Sequence, residues 1–364
     1  MLGHQAAYVD HLVEVVEAER IDLVVVSGDV YDRALPHVDA VRLADETLAR
    51  LAASRAKVVL TSGNHDSAQR LGFSSRLIDA AGVFIRTDAS SVGRPVLLED
   101  EHGPVAVYGL PYLDPDAVRE PWGLAGRSHE AALSEAMRRV HADRAQRRAR
   151  SVVLAHAFVA GAQPSDSERD ISVGGVSLVP TSVFDGVDYA ALGHLHGRHT
   201  LTETVRYSGS PLAYSFSEAG HTKGSWIVDL GADGFERAEF VEAPVPRALA
   251  RITGTLDDLL HDLTLTEHED AWVQATLTDD VRPVQAMERL RSRFPHTLVI
   301  GFAPRGGERA TVPTARREGR SDHAIALDFV ADMRGAPASK AEAALLQEAV
   351  DACCEDPDVD VLVS

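Results

Sequence analysis

Leu60-Thr61-Ser62-Gly63-Asn64-His65-Asp66 lies between a run of strand formers, Lys57 to Thr61, and a helix-like run, Ala68 to Ala80. A buried strand that stops abruptly in a polar turn is the expected edge of an α/β sheet, and ligands collect in the crevice outside such strand ends. Gly63 lets the backbone turn sharply or approach a ligand closely. Asn64 then offers an amide oxygen, His65 an imidazole and Asp66 a carboxylate, a trio suited to a metal site. The same stretch alone fits a plain Asn-His-Asp turn with Asp66 as a helix N-cap. Recurrence of the pattern at three further strand ends decides for the metal site.

Working outward, Asp22 to Ser27 is a continuous apolar strand, as expected when both faces of a sheet are covered, and it ends in Gly28-Asp29-Val30-Tyr31-Asp32. A helix over Val38 to Ala53 joins it to the strand at 57–61 as a βαβ unit with a right-handed crossover. A helix over Leu71 to Ala80, a strand at Val83 to Ile85, and two strands flanking the turn Asp100 to Gly103 follow. Ser128 to Arg150 reads as a long charged helix. Ser151 to Ala155 is a strand ending at His156, and Gly161 to Asp170 a polar acidic loop. Tyr189 to Gly193 is a strand ending in His194-Leu195-His196. Segments at 205–208, 225–230 and 235–241 read as a second, antiparallel set of strands. The chain opens instead with a helix, Tyr8, Leu12, Val15 and Val16 lying on one face.

Pro244 and Pro246 mark a boundary. Beyond it, strands and helices up to Gly301 make a small α+β unit. Thr311 to Ser321 is polar, and a linker at Gly335-Ala-Pro337 leads to an amphipathic helix over Lys340 to Cys354. The expected organisation is therefore a main domain over 1–245, a small α+β domain over 246–334, and a linker with a C-terminal helix over 335–364.

Composition narrows the class. An apolar share of 45% in 364 residues can fill a large core. No apolar run of about 18 residues or more occurs, so no membrane span is expected, and the absence of a signal peptide points to the cytoplasm. Cys353 and Cys354 are adjacent, which suits neither a structural disulfide nor a zinc framework. The formal net charge of −19 argues against broad non-specific nucleic-acid affinity while leaving room for a local basic groove. No Gly-x-x-x-x-Gly-Lys-[Ser/Thr] is present, so any ATP-coupled step requires another chain.

The polar residues at the strand ends are Asp29, Asn64, His65, His156, His194 and His196. One carboxylate, one amide and several imidazoles, with no thiolate, suit manganese, iron or zinc in a working site rather than a structural zinc cluster. In an extended segment His194 and His196, two apart, point the same way, so each can reach one of two neighbouring ions.

These residues carry a resemblance. Gly28-Asp29, Gly63-Asn64-His65-Asp66, His156 and Gly193-His194-Leu195-His196 resemble, in order and placement, the successive motifs of the calcineurin-like metallophosphoesterase superfamily. Ser27 to Arg33, Ser62 to Ser67, Leu154 to Gly161 and Tyr207 to Ser217 are similar to SbcD-type nuclease subunits of SbcCD complexes, and so is Arg289 to Pro295. The resemblance implies a two-sheet metallophosphoesterase sandwich flanked by helices, with a small α+β cap. It implies two divalent ions, Mn2+, bridged by Asp29. Asn64, His156 and His194 complete one site and His196 belongs to the other. His65 is then the catalytic histidine, protonating the leaving oxygen or stabilising the transition state. The implied activity is exonuclease and endonuclease cleavage of DNA in repair, by a homodimer within a heterotetramer with an SbcC-type ATPase. A non-catalytic scaffold and a small-molecule phosphodiesterase remain as alternatives.

The family opens with a strand carrying Asp-x-His, which this sequence does not show; Asp10-His11 is adjacent and helical, and His4 falls ahead of that helix. Two accounts stay open: the chain begins inside a longer protein, or it is a short form with a half-built second metal site and weak nuclease activity. Among other features, Arg138, Arg139, Arg144, Arg147, Arg148 and Arg150 read as a solvated helix end complementing the helix dipole, with DNA contact as the lesser reading. Arg305, Arg309, Arg316, Arg317 and Arg320 read equally as phosphate contacts or as a plain polar segment. Tyr112, Tyr214 and Phe216 either pack the core or border the cleft. The C-terminal helix docks on a partner or caps the small domain, and the resemblance favours docking.

Overall fold

A computed structural model describes residues 2–168, 171, 178–304, 321–334 and 336–355. The chain divides into two compact units, Met1–Pro246 and Arg247–Ser364.

In the first unit, helix α1 (Leu2–Ala18) buries Val13 and Val16. Strand β1 (Leu23–Ser27) runs through helix α2 (Val38–Ala53) into β2 (Lys57–Thr61), pairing in parallel from Leu23 opposite Lys57 to Ser27 opposite Thr61. The single helix expected after β2 is instead two short turns, α3 (Ala68–Leu71) and α4 (Ser75–Ile78). Gly72 caps the first, and Ser74, at φ +61°, breaks the helical path before the second. Strand β3 (Val83–Arg86) then pairs in parallel with β2.

The second sheet begins with a hairpin, β4 (Val96–Asp100) and β5 (Gly103–Gly109). Helices α5 (Pro115–Trp122) and α6 (His129–Arg144) lead into β6 (Arg150–His156), and β7 (Tyr189–Gly193) follows. A two-residue edge strand β8 (His199–Thr200) and β9 (Val205–Tyr207) complete a six-stranded sheet in the order β4-β5-β6-β7-β9-β8. β9 runs parallel to β7, so 205–208 does not join the later strands as expected. Those strands, β10 (Gly224–Gly231) and β11 (Gly234–Glu242), form a separate antiparallel ribbon.

Hydrophobic packing explains the layering. Val13 and Val16 of α1 and Leu51 of α2 share a cluster with Val58, Leu60, Val83 and Ile85 from one face of the three-stranded sheet. The opposite face contributes Val59, which packs with Val107, Val152, Leu154 and Tyr189 of the six-stranded sheet. The far face of that sheet is covered by α6, through Ala132, Leu133, Ala136, Met137 and Val140. Period-two alternation puts Val58 and Leu60 on one side and Val59 on the other, and all three are buried.

The second unit holds β12 (Leu249–Gly254), helix α7 (Leu256–His261), β13 (Trp272–Leu277), helix α8 (Ala286–Arg293) and β14 (Thr297–Phe302). Its three strands are all parallel, in the order β12-β13-β14. The expected α+β unit is therefore of α/β type, since each strand returns through a helical crossover. Leu256, Leu259, Val273, Leu290 and Phe294 fill its core. Helices α9 (Asp322–Arg334) and α10 (Lys340–Glu355) are tied by Arg334 to Glu342 at 2.7 Å. The expectations for Asp170, for the arginines at 305–320 and for Gly335, and for the thiols of Cys353 and Cys354, lie outside the described residues. No helix among the described residues is long and apolar enough to cross a membrane.

The basic run at 138–150 is largely engaged. Arg138 and Arg139 bind Glu135, at 2.7 and 2.9 Å, and Arg147 binds Asp143 at 2.6 Å. The helix stops at Arg144, and Arg150 belongs to β6, 7% exposed. Its guanidinium binds Asp100 and donates to the carbonyls of Gly103 (2.9 Å), Leu230 (3.2 Å) and Gly231 (3.2 Å). It thus fastens the β4–β5 turn and the β10–β11 ribbon to β6. Arg150→Met should lower stability by about 1–3 kcal/mol, because four part-buried acceptors lose a charged donor. An unchanged midpoint in urea unfolding would show that water replaces the guanidinium.

Candidate metal centre

The ends of β1, β2, β6 and β7 meet at one place. After β1 the chain enters the left-handed region at Gly28 (φ +86°) and Asp29 (φ +49°). A Cβ at Gly28 would lie 2.4 Å from His156 Nδ1, and one at Gly63 would lie 2.0 Å from Asp29 Oδ1. A Cβ at Gly193 would lie 1.8 Å from the Ser27 carbonyl oxygen. Glycine at these three positions is what lets the four ends converge.

His156, at the end of β6, donates from Nδ1 to the Ser27 carbonyl at 2.8 Å. That bond commits the Nδ1 proton and turns Nε2 to Asn64 Oδ1 (2.9 Å) and Asp29 Oδ2 (3.2 Å). His194 Nδ1 stands 3.2 Å from the same Asn64 oxygen. The ligand atoms of Asp29, His156 and His194 all lie within 4.8 Å of one another. A ring lone pair, an amide oxygen and a carboxylate oxygen thus face each other. Such a set of acceptors fits a divalent cation, which would satisfy all of them at once. The Asn64 amide nitrogen is buried with no hydrogen-bond partner, so its amide is oriented through the oxygen.

The charge states agree with this. Burial alone would raise the Asp29 carboxyl; hydrogen bonding and charge from the His156 ring when Nε2 carries a proton, with the His65 amide and ring, outweigh it and hold it at about 2, and a bound cation would take the place of that proton. Burial, with the neighbouring His156, pushes the His194 ring down to about 3, leaving it neutral with a lone pair to give. His65 donates its backbone N–H to Asp29 Oδ1 (3.0 Å), and its Nδ1 meets the Asp32 carbonyl at 2.8 Å.

Asp66 and His196 stand outside this group. Asp66 is not among the ligand atoms and does not cap a helix, since Ser67 holds the N-cap position of α3. It accepts from the N–H groups of Gly63 (2.9 Å), Val30 (3.1 Å) and Tyr31 (2.9 Å), stapling the turn after β2 to the turn after β1. Burial raises its carboxyl. His196 stands outside the 4.8 Å group. β7 ends at Gly193 and His194 has φ +101°, so the segment is not extended there. His196 Nδ1 lies 2.7 Å from Ser167 Oγ and 3.2 Å from Glu218 Oε1.

Sequence reasoning missed Ser167, Glu218 and Lys223. Glu218 is fully buried and pairs with Lys223 at 2.5 Å. The available signal was faint: Lys223 is one of three lysines in the chain. Among the aromatics, the Tyr112 ring meets His156 edge-on at 6.3 Å and the Tyr214 ring meets His196 at 5.8 Å, while Phe216 is half-buried. Burial, with Asp114 and Asp29, pushes the Tyr112 hydroxyl up to about 12, so it stays a donor.

Comparison with known proteins agrees with the strand-end pattern. A family model described as calcineurin-like phosphoesterase matches residues 2–198. A second, SbcD_C, described as type 5 capsule protein repressor C-terminal domain, matches residues 245–333. Among solved structures, the chain aligns with a family 1 β-glucosidase from Thermotoga maritima in complex with isofagomine lactam, at 10% identity over 80% of this chain and 74% of that one, with a TM-score of 0.17. The structure named simply as that glucosidase aligns with the same identity and coverage and a TM-score of 0.18. Neither likeness carries an argument.

Gly63→Ala tests the convergence. With a methyl group 2.0 Å from Asp29 Oδ1, the carboxylate must move. Manganese affinity, measured by titration calorimetry, should fall about 10–100-fold, as for other displaced ligand supports. Retained affinity would mean that the two turns relax without cost.

Proposed function

The chain belongs to the calcineurin-like phosphoesterase family and carries an SbcD-type C-terminal region, and from that membership we propose that it hydrolyses phosphodiester bonds in DNA with the help of bound manganese. The observation that carries the proposal is the cluster of Asp29, His156 and His194 ligand atoms around the Asn64 oxygen. Asp29, Asn64, His156 and His194 would hold one divalent ion, and Asp29 with His196 would contribute to a second. Bound divalent ions supply Lewis-acid charge at phosphate oxygens and acidify water towards neutrality.

The protein's own groups supply the rest. His65 commits its Nδ1–H to the Asp32 carbonyl (2.8 Å), so Nε2 is the ring nitrogen left to take up a proton and, from the doubly protonated ring, to pass it to the leaving oxygen. Its backbone N–H on Asp29 Oδ1 keeps ring and carboxylate in one frame. The Tyr112 hydroxyl, held protonated, suits a phosphate oxygen as a donor. The two-sheet sandwich and a cap formed by 246–334 are the reading of the fold that goes with this activity, with the SbcD_C match in support.

The assembly we propose is a homodimer joined to an SbcC-type ATPase, working in the cytoplasm in DNA repair. Leu35, Val38, Val41, Phe73 and Leu77 are exposed. Arg70 on the Ala34 carbonyl (3.0 Å) holds α3 beside the segment before α2, which supports one apolar face for self-association. Exposed Phe329 on α9 and Leu345 on α10 support partner docking at 335–364. A second reading, one well-formed metal site with weak cleavage, is favoured by the ligand clustering, since among the described residues Asp29, His156 and His194 form one such group and none forms around His196.

Mn2+ at about 100 times its Kd should stabilise the chain by about 2.7 kcal/mol, seen as a rise in Tm that Asp29→Asn abolishes. Cleavage of linear duplex DNA by the manganese-loaded chain, against a chromogenic phosphodiester, separates a nuclease from a small-substrate enzyme. No cleavage of either by a metal-loaded chain would leave the scaffold. His65→Gln should slow hydrolysis about 10²–10⁴-fold while metal uptake is kept; an unchanged rate would remove His65 from the chemistry.

A further inference from the structure

His196 is gripped at its backbone and at one ring nitrogen. Its N–H donates to Glu168 Oε1 (2.7 Å), and its carbonyl accepts from Lys223 Nζ (2.8 Å). Its Nδ1 faces Ser167 Oγ at 2.7 Å and Glu218 Oε1 at 3.2 Å. Glu218 in turn is fully buried, and its Oε2 takes the Lys223 ammonium at 2.5 Å and lies 3.4 Å from Ser210 Oγ. Its Oε1 takes the Tyr214 N–H (3.3 Å) and the Ser167 hydroxyl.

Proton counting fixes the ring. A carboxylate paired with an ammonium can only accept, so the contact between His196 Nδ1 and Glu218 requires a proton on Nδ1. Ser167 leads to the same answer. Its single proton goes to Glu218, and the nearby Ser165 hydroxyl, 2.9 Å away, spends its own proton on Glu168 (2.6 Å). Ser167 must therefore accept from Nδ1. We propose that Glu218, locked in place by Lys223, is a positioning residue that holds His196 in the Nδ1–H tautomer and so reserves the Nε2 lone pair for a cation. The proposal deepens the metal reading of His196 and rests on it. Metal-binding histidines commonly owe their tautomer to such a carboxylate. Glu218 and Lys223 both lie beyond residue 198, where the phosphoesterase match ends.

The test uses the full chain, labelled with 15N and free of metal. Long-range proton–nitrogen correlation reads the histidine tautomers, with the His196 signals identified by their loss in His196→Gln. The expected wild-type result is a protonated Nδ1 and a bare Nε2. In Glu218→Gln the amide can donate to Nδ1, so His196 should shift towards the Nε2–H form and Mn2+ uptake should weaken about 10–100-fold. The His156 and His194 signals should stay in place, which a general loosening of the fold would not allow. An Nε2–H ring in the wild type, or an unmoved tautomer in Glu218→Gln, would overturn the proposal. The wild-type spectrum decides even where Glu218→Gln does not fold. A wild-type chain that takes up no Mn2+ would sink the metal reading, and the tautomer measurement would still judge Glu218.

Discussion

The close approach of two sheets at their strand ends is the constraint from which the site follows. The bond from His156 Nδ1 to the Ser27 carbonyl joins β6 of one sheet to β1 of the other. It forms only because positions 28, 63 and 193 carry no Cβ. Asp29 and His194 both sit at positive φ, a conformation that costs roughly 1–3 kcal/mol per residue. Such strain persists only where the surroundings over-determine it. Here they do: Val59, Val107, Val152, Leu154 and Tyr189 pack the two sheets into a common core directly behind the site.

That geometry sets the electrostatics. The carboxylate of Asp66 lies close enough to Asp29 to feel it; the charge of Asp29 adds to burial in raising Asp66. Asp66 is relieved by three backbone N–H groups, so it works as a fastener. Asp29 keeps Oδ2 turned towards His156 and the neutral His194. The division of labour between two acids of the same type thus comes from who donates to them. One is saturated by backbone and holds the loops; the other has an oxygen left for a cation.

What was legible in the sequence was whatever depends on local pattern. Apolar runs ending in Gly28-Asp29, Gly63-Asn64, His156 and Gly193-His194 can be read without coordinates, because strand and turn propensities act over a few residues. The β1–α2–β2 unit was legible for the same reason. Three kinds of feature were not. The pairing of β9 with β7 depends on which distant strand offers a free edge. The break between α3 and α4 depends on Ser74 accepting a left-handed conformation that its residue type disfavours. Arg150 reads as a helix-end charge by its neighbours, yet its partners Asp100, Gly103, Leu230 and Gly231 come from remote turns.

The divergence of His194 and His196 shows the same limit within three residues. Spacing of two implies a common face only while the backbone stays extended. β7 gives out at Gly193, the residue that cannot carry a side chain beside the Ser27 carbonyl. The chain turns there, and His194 takes φ +101°. One ring then joins Asn64, and the other enters the network of Ser167, Glu218 and Lys223. The glycine that brings β7 against β1 therefore also separates the two histidines. Crowding at a single carbonyl both builds the first ligand group and assigns His196 to a different set of supports.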